Sequence, residues 1–348
     1  MQFIKPDINI NFIGKRKLAF VFSVVMLTIS IASLIWHGGP RLGIDFQGGT
    51  LIQVKFQAPV EMDHIKTGLN TVGLGKSSVQ QFGELQDNEY LIRTDSSVMT
   101  TEGFTNDVKK ALEAETGGQA EIRRVEMVGP QVGQDLREKA LFAMFYALLF
   151  ITIYISGRFE LKWLLSGIVA VALIGAVYLF TLFNVSIPFL IAAALIVSLI
   201  LFWFLELKYA MGAIVALIHD VTITIGLFSI FDKEFTLAII AALLTIIGYS
   251  LNDTIIIFDR IRENLRKYHK NPLEVILNRS INETLSRTIL TSLTTLFVVV
   301  TLFVLGGGII HDFAFALIVG VGIGTYSSVF VASPILLAWQ GKQAKKKR

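Results

Sequence analysis

Uncharged apolar runs of about 20 residues recur along this chain, and no other feature limits its fold as strongly. Hydrocarbon offers no water to a bare backbone, so such runs fold as helices that pair their own N–H and C=O groups. Over the 348 residues the mean hydropathy is +0.63, beyond what soluble globular domains reach. The expected class is a polytopic α-helical membrane protein. With no cysteine, neither a disulfide framework nor a Cys-ligated metal site is available.

One run is unlike the others. AALLTIIGYSLNDTIIIFDRIREN at 241–264 begins as an apolar helix, is broken by Asn252-Asp253, and turns charged at Asp259-Arg260. A carboxylate in a spanning segment costs about 2.5–3.5 kcal/mol on insertion scales, so such a group is kept for a task and faces protein or water. The preceding run carries a second pair, His219-Asp220. The two runs are joined by a short turn and are expected to be antiparallel neighbours, with both carboxylates, His219 and Asn252 lining one interior. A carboxyl taken out of water holds its proton more readily, which suits it to load and release H⁺ near neutral pH. The competing reading is that these groups are merely satisfied by carbonyls and neighbouring hydroxyls.

Arg287 opens the run SRTILTSLTTL. It either snorkels to an interface or faces Asp253, where an always-charged guanidinium favours the ionised carboxylate. Ser286, Thr288, Thr291, Ser292, Thr294 and Thr295 either hydrate a route or simply pack. Asn271-Pro272 is a helix-start signal, and the amphipathic 272–286 is expected to lie in the inner interface before the next span.

The chain divides into a first span with its short leading segment (1–36), a soluble stretch (37–137), a helical bundle (138–338) and a basic tail (339–348). Lys15-Arg16-Lys17 precede an apolar run too long for a signal peptide, with no A-x-A-like site after it, so it reads as an uncleaved anchor. Spans are expected near 18–36, 138–156, 162–183, 187–205, 209–230, 235–258, 288–305 and 312–338, about eight helices. The expected inner links hold Arg158, Lys162, Lys208 and a cluster from Arg260 to Arg287, while the outer links carry only Lys233. The positive-inside rule then places both termini in the cytoplasm. Within 37–137 the patterning reads β-α-β-β-α-β, a small extracytoplasmic α+β domain of ferredoxin-like type, large enough for one core. Glu160-Leu161-Lys162 and Ile168-Val169-Ala170 recur at one offset as Glu206-Leu207-Lys208 and Ile214-Val215-Ala216, which suggests a duplicated helical hairpin near 162–205. Its first copy has Leu173-Ile174 where the second has His219-Asp220.

Two decoys are set aside. GLGKSS at 73–78 lacks the first glycine of a phosphate loop, since position 70 is Asn. Gly320, Gly322 and Gly324 lie inside a span and read as packing positions, not as a nucleotide site.

LGIDFQGGT (42–50), ALIHDVTIT (216–224), GYSLNDTIIIFDRIREN (248–264) and NETLSRTILTSLTTL (282–296) together resemble the SecF family. These are subunits of the SecDF accessory complex of the Sec translocase, within the RND superfamily. The resemblance implies six core helices and one extracytoplasmic domain in the bacterial cytoplasmic (inner) membrane. It implies use of the proton-motive force to help export polypeptides, with no cofactor, metal, nucleic acid or catalytic residue. By position, Asp253 resembles the essential intramembrane aspartate and Arg287 its basic partner. The implied partners are SecD, which carries the other half of the proton pathway, the SecYEG translocon, YajC and an unfolded polypeptide in transit. The sequence departs from the family by about two extra helices near 162–205, which leaves open whether the second core helix starts at 138 or at 184. Two other classes fit the sequence less well. An RND-type exporter of small molecules or lipids needs larger outer domains. An intramembrane aspartyl protease using Asp220 and Asp253 needs G-x-G-D and P-A-L patterns that are missing.

Overall fold

A computed structural model describes residues 8–82, 87–94, 102–160, 167–168, 170–172, 174–175 and 187–346. Among them, six helices are long and apolar enough to cross a membrane: Ile13–Trp36, Pro130–Phe159, Lys208–Ile230, Leu237–Lys267, Leu273–Leu305 and Ile310–Trp339. The full helical elements are α1 (Arg16–Trp36), α2 (Ile44–Gln47), α3 (Met62–Thr71), α4 (Glu102–Thr116), α5 (Pro130–Glu160), α6 (Ile187–Phe204), α7 (Lys208–Ile230), α8 (Leu237–Lys267), α9 (Leu273–Leu305), α10 (Gly307–Ser327) and α11 (Ser333–Lys346). A π-helical turn, Ser328–Ala332, joins the last two. Of the two helices expected beyond these six spans, the one at 187–205 corresponds to α6, whose apolar part Ile191–Phe204 is shorter than a full span. The other, at 162–183, lies almost wholly outside the described residues. Among the described residues there are therefore six spans, and the expected count of about eight is not confirmed.

Two helices begin earlier than expected. α5 starts at Pro130, immediately after the last strand, because Pro suits the first helical position. α9 runs unbroken through 272–286 into the following span, so the amphipathic stretch is not a separate interfacial helix. Polarity changes along it, but no Gly or Pro falls between Leu273 and Leu305, so nothing stops the helix.

The soluble part is a four-stranded antiparallel sheet, β1 (Gly49–Phe56), β2 (Ser78–Phe82), β3 (Glu89–Thr94) and β4 (Ala120–Val128), in the order β2-β3-β1-β4. Central β1 pairs with β3 from Thr50↔Thr94 to Lys55↔Glu89, and with β4 from Gly49↔Val128 to Phe56↔Ala120. Alternation along β1 sends Ile52, Val54 and Phe56 to one face, where they meet Ile65 and Leu69 of α3 and Val108 and Leu112 of α4. The other face looks toward the ends of the long helices.

The sheet is tied to the bundle at two places. Gly48 has φ +77°, a left-handed backbone, and a Cβ there would meet Pro130 Cα at 2.8 Å. A side chain at Gly133 would meet the Gly48 amide at 2.9 Å, so the strand entry and the start of α5 lie backbone against backbone. The second tie is to the α7–α8 turn. Phe235 N donates to Arg41 O (2.7 Å) and Gly43 N to Phe235 O (2.9 Å). Asp45 Oδ2 accepts from Leu237 N at 2.9 Å, capping the otherwise open N-terminus of α8 from another element. Arg41 pairs with Asp232 at 2.7 Å and Arg93 with Glu234. The Glu234 carboxyl is pushed above the usual range, burial outweighing the guanidinium of Arg93.

Candidate functional site

α7 and α8 are consecutive, antiparallel and packed together, as the short turn between them predicted. Each carries one buried carboxylate, but the two surroundings differ.

Asp220 on α7 is fully buried and fully engaged. Its Oδ1 lies 2.9 Å from His219 Nδ1. Its Oδ2 accepts from Ser250 Oγ of α8 (2.6 Å) and from Ser327 Oγ of α10 (2.7 Å). His219 Nε2 continues to Ser23 Oγ of α1 at 3.1 Å, and Ser23 to Tyr326 Oη at 3.0 Å. Tyr326 in turn donates to Ala19 O at 2.7 Å. Four helices thus share one hydrogen-bonded chain. Close approach makes it reachable: a Cβ on Gly226 of α7 would collide with Ser30 of α1, and one on Gly324 of α10 would meet Ser250 Cβ at 2.9 Å. Of the three alternating glycines, Gly320 and Gly324 face α8, while Gly322, half a turn away, meets nothing.

Asp253 on α8 is just as buried, at 1% exposure, and neither carboxylate oxygen has a hydrogen-bond partner among the described residues. Ser292 of α9 stands near it without meeting hydrogen-bond geometry, and Arg287 of α9 lies within electrostatic reach. Ser292 is itself engaged with Thr325 of α10 at 2.7 Å. Thr288 Oγ1, also on α9, and Tyr249 Oη, one turn back on α8, are buried and unpartnered as well. Buried polar groups are nearly always satisfied, so an unpartnered carboxylate of this kind calls for an explanation beyond packing. The remaining α9 hydroxyls pack: Thr291, Thr294 and Thr295 donate to carbonyls of their own helix.

The expectation that Asn252 lines the interior is not met. Asn252 is exposed, because adjacent helical residues point about 100° apart and Asp253 takes the inward position. Arg287 is exposed too, and it forms no ion pair with Asp253 within 4 Å among the described residues. Asp220 and His219 are buried as expected, but as parts of a closed network. What the sequence did not disclose is Ser23, Ser250, Ser327 and Tyr326. Serines are common packing residues in spans, and the only hint was Ser250 one turn before Asp253.

The comparisons with known proteins agree with this architecture. The family described as "Protein export membrane protein SecD/SecF, C-terminal" matches residues 107–196 and 170–342, and "SecD/SecF GG Motif" matches 33–60. A protein from Magnetococcus marinus named "Protein translocase subunit SecF" is 42% identical over 341 residues, covering 97% of this chain and 94% of that protein. One of the same name from Vibrio alginolyticus is 40% identical over 338 residues, covering 97% and 91%. A crystal structure of "SecDF, a translocon-associated membrane protein" from Thermus thermophilus superposes with TM-score 0.76 at 30% identity, covering 97% of this chain. A SecDF crystal structure in a super-membrane-facing form gives 0.63 at 29% identity, covering all of it. This chain spans 40% of the length of each of those two solved chains.

Proposed function

The chain belongs to the SecF family of protein translocase subunits, and from that premise we propose that it is a multi-pass accessory subunit of the Sec translocase that uses the proton-motive force to promote polypeptide export. The observation that carries the proton reading is the buried, unpartnered carboxylate of Asp253. An isolated ion taken out of water is penalised by several kcal/mol, and protonation removes that penalty. Arg287, close enough to act on the charge yet not bonded to it, supplies the opposing preference. Two arrangements that differ in how near Arg287 stands then differ in proton affinity, which is what a proton gradient needs to drive a population shift. In this reading His219 and Asp220 hold the helices around the site, and Asn252 faces outward toward a partner.

The Asp45 cap at Leu237 supports coupling to the outer domain, since a shift of α8 carries its N-terminus and the strand entry with it. The strand order β2-β3-β1-β4 with two helices on one face supports a ferredoxin-like sandwich for that domain. SecD is the proposed membrane partner. The solved SecDF chains extend well beyond the part matched here, and α8 and α9 leave Asn252, Leu290, Leu293 and Phe297 exposed. SecYEG, YajC, protons and the transiting polypeptide complete the proposed set. The inner membrane is the proposed location, with both termini cytoplasmic, since Lys and Arg gather at the end of the bundle remote from the sheet. The recurrence of Glu-Leu-Lys and Ile-Val-Ala at one offset is what supports a duplicated hairpin. This reading gives the chain a transport role and no catalytic one.

The test is proton-dependent export in cells or inverted vesicles whose only copy is Asp253→Asn. The variant is expected to accumulate and insert normally while its contribution to export is lost. Normal proton-dependent export by that variant would overturn the reading.

A further inference from the structure

A lateral groove between α1, α7, the π turn, α11 and the start of α9 has no part in the proton reading. At about 1160 Å³ it exceeds the roughly 300–1,000 Å³ of pockets that hold drug-sized ligands. Its walls are mostly apolar, with Phe20, Val24 and Leu27 of α1, Ile218 of α7 and Phe330 of the π turn, and Ser23 and His219 of the hydrogen-bonded chain also line it. Its mouth, at the end of the bundle away from the sheet, is lined by Arg16, Lys17 and Glu274. Arg16 is held at 2.9 Å by Glu274, while Lys17 is exposed and makes no ion pair among the described residues. The mouth therefore carries one net positive charge.

Length decides what fits. From Arg16 to Leu27 the helix rises about 16 Å, at about 1.5 Å per residue. That is about half of the roughly 30 Å hydrocarbon core. A spanning helix needs a groove through both leaflets, whereas one lipid needs a single leaflet, apolar along its length and cationic at the headgroup. We propose that this groove is a binding site for one anionic glycerophospholipid, its acyl chains along Phe20, Val24 and Leu27 and its phosphate at Lys17 and Arg16. The proposal needs only that the bundle spans a membrane and does not depend on the proton route.

The full-length chain, in nanodiscs mixing dioleoylphosphatidylglycerol with dioleoylphosphatidylcholine, is released into mild detergent and read by native mass spectrometry. One phosphatidylglycerol per chain is expected to survive delipidation in preference to phosphatidylcholine. Lys17→Gln should cut that preference about fivefold, and Lys17→Arg should keep it. Val24→Trp, at an exposed wall position, should reduce retention of both lipids at least about fivefold without lowering the unfolding temperature. Equal retention of both lipids by the unmodified chain, or retention indifferent to Val24→Trp, would overturn the proposal. So would a photo-crosslinker at Val24 that captures a polypeptide, a second copy or a partner's helix, in place of lipid.

Discussion

Asp220 and Asp253 sit on consecutive helices, each all but sealed from solvent, and only one of them is held. Asp220 meets a histidine and two serine hydroxyls drawn from its own helix, α8 and α10. Among the described residues Asp253 meets none, although Ser292 stands near it and is bonded to Thr325. Burial is therefore a poor guide to task, and satisfaction is the better one. A carboxylate whose acceptor sites are filled fixes helix positions and loses stability when cut. One left unfilled stabilises little as an ion.

The sharpest way to break this contrast is to remove both acids and measure stability. Asp220→Ala removes the shared partner of His219 Nδ1, Ser250 and Ser327 and leaves the Ser250 hydroxyl without one among the described residues, and should cost about 3–5 kcal/mol in unfolding in detergent. Asp253→Asn should change the same measurement by less than about 1 kcal/mol, or stabilise, since no hydrogen bond is lost. If the two variants destabilise equally, the division of labour fails. Next in size is Arg287. Arg287→Ala should bring proton-dependent export close to the level of Asp253→Asn with unchanged thermal stability, and Arg287→Lys should retain part of it. A fully active Ala variant reduces Arg287 to an interfacial anchor. Smaller again are the serines. Ser250→Ala and Ser327→Ala should each cost about 0.5–1.5 kcal/mol, as donors to the Asp220 carboxyl. Because they share Asp220 Oδ2, the double variant should depart from additivity by at least about 0.5 kcal/mol.

The smallest effect concerns Glu234 in the outer tie. Its carboxyl is raised above the usual range, so the docked state holds a proton more tightly than a state in which Glu234 meets water. Docking is then favoured at low pH, and this contribution fades as pH rises through the raised value. Hydrogen exchange in residues 41–45 should be slower at acidic than at alkaline pH beyond the intrinsic rate change. Glu234→Gln should flatten that dependence.

The sequence made Asp253 legible because an acid inside an apolar run has few innocent explanations. The outer sheet was legible because alternation in 50–56 and helical spacing in 100–115 are local signals. Asn252 was misplaced because adjacency in sequence is not adjacency on a helix, and the polar pair was read as one unit. Beyond His219, the Asp220 network is invisible in the sequence because Ser23, Ser250, Ser327 and Tyr326 come from three other helices, and the presence of a hydroxyl in a span says nothing about where it points. Arg287 stayed ambiguous because the snorkelling and facing readings use the same residue at the same depth. The uninterrupted α9 shows the same limit from the other side: a change of polarity is not a stop signal, and only Gly or Pro would have been one.

The place of β1 bears on how the molecule is made. This strand leaves the ribosome first of the four, yet it ends in the middle of the sheet, with β4, the last to emerge, on one flank. Its entry glycine then lies against Pro130, in the helix that follows. Synthesis must deliver the whole sheet segment, together with the beginning of the helix that follows it, before that flank can close. Newborn chains halted short of residue 120 should accordingly keep that segment open to protease.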